Sequence, residues 1–139
     1  IFMAKILLID NDRFLQSPYS IFNGQKTHGD EPVLLAQQTI EKRVNEFITI
    51  DELAQITNMS KRNFLRRFKH ATGDTPFVYM QRTKIEAAKT LMENSNNQLI
   101  EIAMQTGYDD FSSFRKTFKK HTGLSPQEYR KRYTYRQAI

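Results

Sequence analysis

Lys61, Arg62, Arg66, Arg67 and Lys69 put five cationic groups into nine residues, with no acid among them. Ammonium and guanidinium groups bind phosphate oxygens. A guanidinium can also donate two parallel hydrogen bonds to the edge of guanine, a specific major-groove contact. On a helix, at about 100° per residue, Arg62, Arg66 and Lys69 share one side. Asn63 lies beside them and Leu65 at the other edge. Phe64, Phe68 and Ala71 share the opposite side, and Lys61 and Arg67 flank it. A solvated helix face ordinarily mixes signs to form pairs three or four residues apart, so an all-positive face suits a polyanion. A second segment has the same character. Ser112, Lys116 and Lys119 point one way, Phe114, Phe118 and His121 the other, and Ser113 and Arg115 lie at the flanks. Asp109 and Asp110 precede it. They favour the helix start but repel phosphate, which makes this segment the weaker phosphate binder. Phe111 fits either the core or a thymine methyl.

Arg62, Arg66 and Arg115 are therefore the candidates for base edges, with Asn63 and Ser112 as weaker ones. Ser60, Lys61, Arg67, Lys69, Ser113, Lys116 and Lys119 are the candidates for phosphate, where contacts set affinity and register.

The bulk charge agrees. The 139 residues carry a net +6, with a pI near 9.6. Residues 1–40 hold three basic and four acidic groups, against 18 basic and 11 acidic in 41–139. A basic balance points to nucleic acid or an anionic surface, although a surplus of this size can also serve solubility alone. There is no cysteine, which removes disulfides, thiolate metal sites and cysteine nucleophiles together. His28, His70 and His121 lack metal-ligand spacing, and the five glycines are isolated rather than grouped as a phosphate-cradling loop. No enzyme activity, cofactor or metal is expected. No run of about 18 apolar residues occurs, and a membrane-surface role would need apolar faces that the core requires.

Helices must position these side chains. Pro32 follows two acids as a helix start, and Val33, Ala36, Ile40, Val44 and Phe47 form one apolar stripe. A helix from near Asp51, capped by Thr49 or Asp51, turns Leu53, Ala54 and Ile56 inward. The next runs from the cap Ser60 to about Ala71 and stops at Gly73. A long helix from Thr75-Pro76 to about Glu93 carries Phe77, Met80, Ile85, Ala88 and Leu91 inward. Helices near 99–105 and 110–121, and a last one from Ser125-Pro126, follow. No strand alternation appears after residue 32, so the expected fold is all-α with about seven helices.

The chain repeats itself. At a shift of 50, Phe64 meets Phe114, Phe68 meets Phe118, Lys69 meets Lys119, Thr72-Gly73 meets Thr122-Gly123, Pro76 meets Pro126 and Tyr79 meets Tyr129. One residue earlier in register, Leu53-Ala54 meets Ile102-Ala103 and Met59 meets Tyr108. Two copies of one structural unit is the economical reading. Each copy is a short helix, a tight turn and a basic helix. Gly107 supplies the left-handed residue in one turn and Asn58 in the other. This is the helix-turn-helix arrangement, whose second helix enters the major groove. The connecting helix of about 19 residues spans ~28 Å at ~1.5 Å per residue, and adjacent major-groove segments on one face are ~34 Å apart. Two unlike heads in one chain predict an asymmetric site.

At this point the residues resemble a known family. Residues 99–133, with Ile102-Ala103, Gly107-Tyr108, Phe114, Phe118-Lys119, Gly123, Ser125-Pro126 and Tyr129-Arg130, look like the second helix-turn-helix signature of the AraC/XylS regulators. Tyr108 stands where that family usually has Phe. Residues 50–73, with Leu53-Ala54, Met59-Ser60, Phe64, Arg66, Phe68-Lys69 and Gly73, resemble the first. The resemblance spans about 32–135. It implies tandem homeodomain-like helix-turn-helix units at 50–73 and 99–123 and sequence-specific binding of double-stranded promoter DNA in the bacterial cytoplasm. It also implies transcription regulation, usually activation, with RNA polymerase as a partner. Residues 1–31, with Ala4 to Asp10 and Gln16 to Tyr19, resemble the end of an amidotransferase-like (PfpI-type) sensor domain and its linker. On that reading an effector ligand would act only through a missing upstream domain. The competing reading is a non-specific nucleoid or RNA-binding module, which needs only charge.

Overall fold

The structure, a computed structural model, describes residues 26–133. The reading of the first 31 residues as a remnant or linker falls mostly on 1–25, outside the described residues. Seven helices and no strand occur among the described residues. They are α1 (Glu31–Lys42), α2 (Ile50–Ile56), α3 (Lys61–Thr72), α4 (Pro76–Asn94), α5 (Leu99–Gln105), α6 (Phe111–Thr122) and α7 (Pro126–Tyr133). The all-α expectation, with a long central helix, holds.

The caps explain the boundaries. Asp30, Thr49, Ser60, Thr75 and Asp110 each accept a backbone N–H from the third residue beyond them, satisfying a donor that the first helical turn leaves free. Gln98 and Glu101 cap α5 reciprocally. Helices α3 and α6 both end on a glycine in the left-handed region, Gly73 and Gly123.

The hydrophobic residues form two cores rather than one. The first gathers Val33, Ala36, Ile40, Ile48, Leu53, Ala54, Phe64, Phe68, Tyr79 and Met80. The second gathers Ile85, Ala88, Met92, Ile102, Ala103, Phe114, Phe118 and Tyr129. Burying a Phe or Leu side chain contributes roughly 1.5–3 kcal/mol, so each core is built largely from its ring stack and the aliphatic residues around it. Helix α4 serves both. Its N-terminal half closes the first unit through Tyr79 and Met80, and its C-terminal half opens the second through Ile85, Ala88 and Met92.

That double duty extends the repeat beyond the shift-50 matches. At a shift of 52, Val33 pairs with Ile85, Ala36 with Ala88 and Ile40 with Met92, all buried. Glu41 pairs with Glu93, and each accepts a hydrogen bond from a tyrosine hydroxyl. Helix α1 and the second half of α4 are thus equivalent, and each unit is a helix-turn-helix enclosed by two further helices.

Some apolar assignments fail. Phe47 is 75% exposed and Phe77 54% exposed, and Ile56 is also exposed. Helix α1 stops at Lys42, so three-to-four-residue spacing no longer holds Phe47 on the core face, and Ile48 takes that place. In the first turns of α4 the buried side is set by Pro76, Tyr79, Met80 and Thr83, which leaves Phe77 outside it. Val44 and Leu91 are only half-buried.

Residues 26–30 pack onto the fold. Lys26 pairs with Glu41 at 2.7 Å, and His28 Nε2 bonds Gln37 at 2.9 Å. At the other end, the Arg130 guanidinium donates to the carbonyls of Asn97 and Ser95, fastening the α4–α5 loop to α7.

Candidate nucleic-acid interface

The two turns are built alike. Met59 N–H donates to the Ala54 carbonyl at 2.9 Å, and Tyr108 N–H to the Ala103 carbonyl at 3.0 Å. Thr57 and Thr106, both buried, turn their hydroxyls back to the carbonyls of Leu53 and Ala54 in one unit and of Ile102 and Ala103 in the other. Asn58 has φ +58° and Gly107 φ +91°, as the turns require. Ala54 and Ala103 are 4% and 1% exposed, and their small side chains let α3 and α6 cross their partners closely. Thr57 and Thr106 escaped the sequence comparison, although they too match at a shift of 49.

Helix α3 anchors itself through Phe64 and Phe68, both fully buried with ring centroids 5.6 Å apart. Phe114 and Phe118 do the same for α6 at 5.7 Å. Since these rings fix the inward side, the opposite side faces solvent. Arg62, Arg66 and Lys69 are exposed there, as are Lys116 and Lys119, with Arg115 exposed at the flank of α6. No acid lies within ion-pair distance of any of these six among the described residues. Asn63 is half-buried, and its side-chain oxygen accepts from Arg66, which couples two of the candidate base readers. Ser112 is exposed. Lys120 was missed by the sequence reading. It is exposed in the last turn of α6, and the same helical wheel places it beside Lys116 and Lys119.

Two cations of α3 are engaged. Lys61 lies 3.7 Å from Asp51, with both side chains mostly exposed. Arg67 departs further from the sequence expectation of a phosphate contact. Its guanidinium grips Asp30 with two hydrogen bonds, at 2.8 and 3.2 Å, and touches Met59 sulfur at 3.5 Å. Burial opposes the charge on Asp30, but Arg67 and the Val33 N–H outweigh it and hold the carboxyl below its usual range. Arg67 thus ties the flank of α3 to the start of α1.

The two helix N-termini differ. Ser60 caps α3 with a neutral hydroxyl, leaving the positive end of the helix dipole uncompensated. Asp110 caps α6 with a carboxylate that accepts from both the N–H and the hydroxyl of Ser113, at 2.8 and 3.1 Å. Those bonds, with Lys116 nearby, keep Asp110 ionised well into acid, and they commit the Ser113 hydroxyl. Tyr108 stacks edge-on against Phe114 at 5.4 Å. Its buried hydroxyl sits by Thr117, and burial raises its pKa.

Known proteins share this arrangement. A helix-turn-helix domain family model matches residues 53–132. The MmsAB operon regulatory protein of Pseudomonas aeruginosa is 38% identical over 85 residues, covering 61% of this chain and 28% of that protein. The raffinose operon transcriptional regulatory protein of Pediococcus pentosaceus is 31% identical over 106 residues, covering 76% and 38%. The chain therefore spans about a third of the length of the curated relatives it matches. Among solved structures, the C-terminal domain of AraT, a response regulator from Geobacillus stearothermophilus, superposes with a TM-score of 0.69 at 30% identity, covering 72% of this chain and 84% of that one. The DNA-binding domain of AdpA in complex with a target DNA superposes with a TM-score of 0.73 at 28% identity, covering 77% and 96%. A match over 77% of the chain takes in both units in one superposition. With the repeated turns, the paired ring stacks and the matched residues in agreement, this chain belongs to the AraC-type family of helix-turn-helix domains.

Proposed function

We propose that this chain is the DNA-reading part of a transcription regulator and seats α3 and α6 in successive major grooves of double-stranded promoter DNA. The observation that carries the proposal is the pair of exposed cationic helix faces, one per unit, on ring-anchored helices joined by the 19-residue α4. The single superposition with a DNA-complexed domain supports it.

Arg62, Arg66 and Arg115 are assigned to base edges, with Asn63 and Ser112 beside them. Lys61, Lys69, Lys116, Lys119 and the N-terminal turn at Ser60 are assigned to phosphate. Arg67 and Ser113 act chiefly as braces, since their donors are held by Asp30 and Asp110. Helix α3, whose neutral cap leaves the positive end of its dipole uncompensated, supplies the stronger N-terminal phosphate site, while α6 carries the larger number of unpaired cations among the described residues. The role is binding rather than catalysis. The setting is the cytoplasm, with RNA polymerase as the downstream partner and an effector acting through an upstream domain. No helix of the described residues is long and apolar enough to cross a membrane.

Selection of bound sequences from a random duplex pool tests this. An asymmetric consensus of two unlike elements about one helical turn apart supports it. Enrichment of no sequence, with affinity collapsing steeply and uniformly as salt rises, would assign the chain instead to non-specific nucleic-acid binding.

A further inference from the structure

The two units have separate apolar cores and share only α4 between them. Both cores grip the one helix α4, so their mutual angle changes only if α4 bends, and a second contact beside it can hold that angle. Lys84 stands near the middle of α4. Its ammonium donates to the main-chain carbonyls of Val44 and Glu46, the latter at 2.8 Å. Both carbonyls belong to the segment joining α1 to α2 in the first unit. The Glu46 carboxylate is itself taken by Arg43 at 2.9 Å, so carbonyl dipoles rather than a carboxylate receive the charge.

The same ammonium lies against the turn of the second unit. A Cβ on Gly107 would stand 2.5 Å from Lys84 Nζ and 3.2 Å from the carbonyl carbon and oxygen of Asn45. Main chain of the first unit thus abuts main chain of the second unit's helix-turn-helix, with the ammonium seated between them. The first unit shows that a left-handed φ alone does not demand glycine here, because Asn58 fills the equivalent place. At 107 the added requirement is the close approach of Asn45 and Lys84. Burial pushes the pKa of Lys84 down to about 8, against the opposing pull of Glu46, which leaves it largely charged at neutral pH.

We propose that Lys84, with Gly107 and the carbonyls of Val44 and Glu46, is a lock that fixes the angle between the two reading heads and so sets the half-site spacing the chain accepts. The proposal rests on the DNA-reading function above. Lys84 is a positioning residue in it, acting through the two units.

Two readouts on the whole chain test the lock. The first uses a duplex selected by the wild-type chain, with one or two base pairs inserted between its half-sites. Insertion should cost the wild type about tenfold or more in affinity, and K84M should lose most of that penalty while binding the parent duplex more weakly. An equal insertion penalty in both would overturn the lock. The second is 15N relaxation on the free protein. One rotational correlation time for both units in the wild type, and two distinct ones in K84M, is the expected result. Identical tumbling would overturn the proposal even if no duplex is ever selected, so a failed lock and a failed DNA reading are told apart. Gly107→Ala strains the same contact from the opposite side and should loosen spacing in the same way, which keeps the test decisive if K84M does not fold.

Discussion

Tyr79 and Tyr129 hold the same station in the two units. Each ring meets a recognition-helix phenylalanine edge-on with centroids 5.4 Å apart, and each hydroxyl donates to a glutamate, Glu41 or Glu93. Burial and the neighbouring carboxylate raise both phenol pKa values. The pair shows what holds each recognition helix in place: a ring stack on one side of the tyrosine and a charge-assisted hydrogen bond at its tip.

Removing parts of that station should cost in order of size. Phe118→Ala or Phe68→Ala takes a fully buried ring out of a stack and should lose about 3–5 kcal/mol. Tyr79→Phe or Tyr129→Phe leaves a half-buried carboxylate short of a donor and should lose about 1–3 kcal/mol. Denaturant melts measure both, and an unchanged midpoint in Phe118→Ala would place that ring outside the core.

Arg66 and Lys69 lie on the same exposed side of α3 but carry different assignments. Arg66→Ala should relax base preference at one position of the selected site, at about 1–3 kcal/mol for the favoured base. Lys69→Ala should weaken binding on every sequence and lower the salt slope by about one. Equal weakening on all sequences in the first variant, or a sequence-dependent loss in the second, would contradict the assignments.

Arg67 should behave as a brace. Arg67→Ala removes a partly exposed pair and should lose up to about 1 kcal/mol of stability, whereas Asp30→Ala also removes the α1 cap and should lose more, by about 0.5–2 kcal/mol. The double variant should lose little more than Asp30→Ala alone. A salt slope in Arg67→Ala reduced as far as in Lys69→Ala would return Arg67 to the phosphate set.

His121 gives a pH dependence with a definite sign. Burial lowers its pKa below the usual 6.5; nearby Lys120 and Arg82 add to this, while Asp74 opposes it, and its buried Nε2 has no hydrogen-bond partner among the described residues. As pH falls through about 6.5, the unfolded chain takes up this proton before the folded one does, so stability drops. The loss between pH 7.5 and 5.5 should be smaller in His121→Leu than in the wild type, read from urea midpoints. Equal losses would remove His121 from the acid response.

Much of this was legible in the sequence, for identifiable reasons. The shift-50 repeat carries Gly, Pro and Phe markers that survive divergence, so the second half of each unit was visible. The equivalence of α1 with the end of α4 rests on Val33 with Ile85 and Ile40 with Met92, substitutions among aliphatic residues that leave no marker. The cationic sides of α3 and α6 follow from the wheel, because Phe64, Phe68, Phe114 and Phe118 fix the inward direction. The engagement of Arg67 was hidden because Asp30 lies 37 residues upstream. Lys84 was hidden because it bonds main-chain carbonyls, which have no sequence signature.

Hydroxyl-radical footprinting on a selected duplex tests the central claim most directly. Both heads docking at once predicts two protected patches on one face of the DNA, about one helical turn apart, with Arg62→Ala altering one patch and Arg115→Ala the other. A single protected patch, or even protection along the whole duplex, would contradict it.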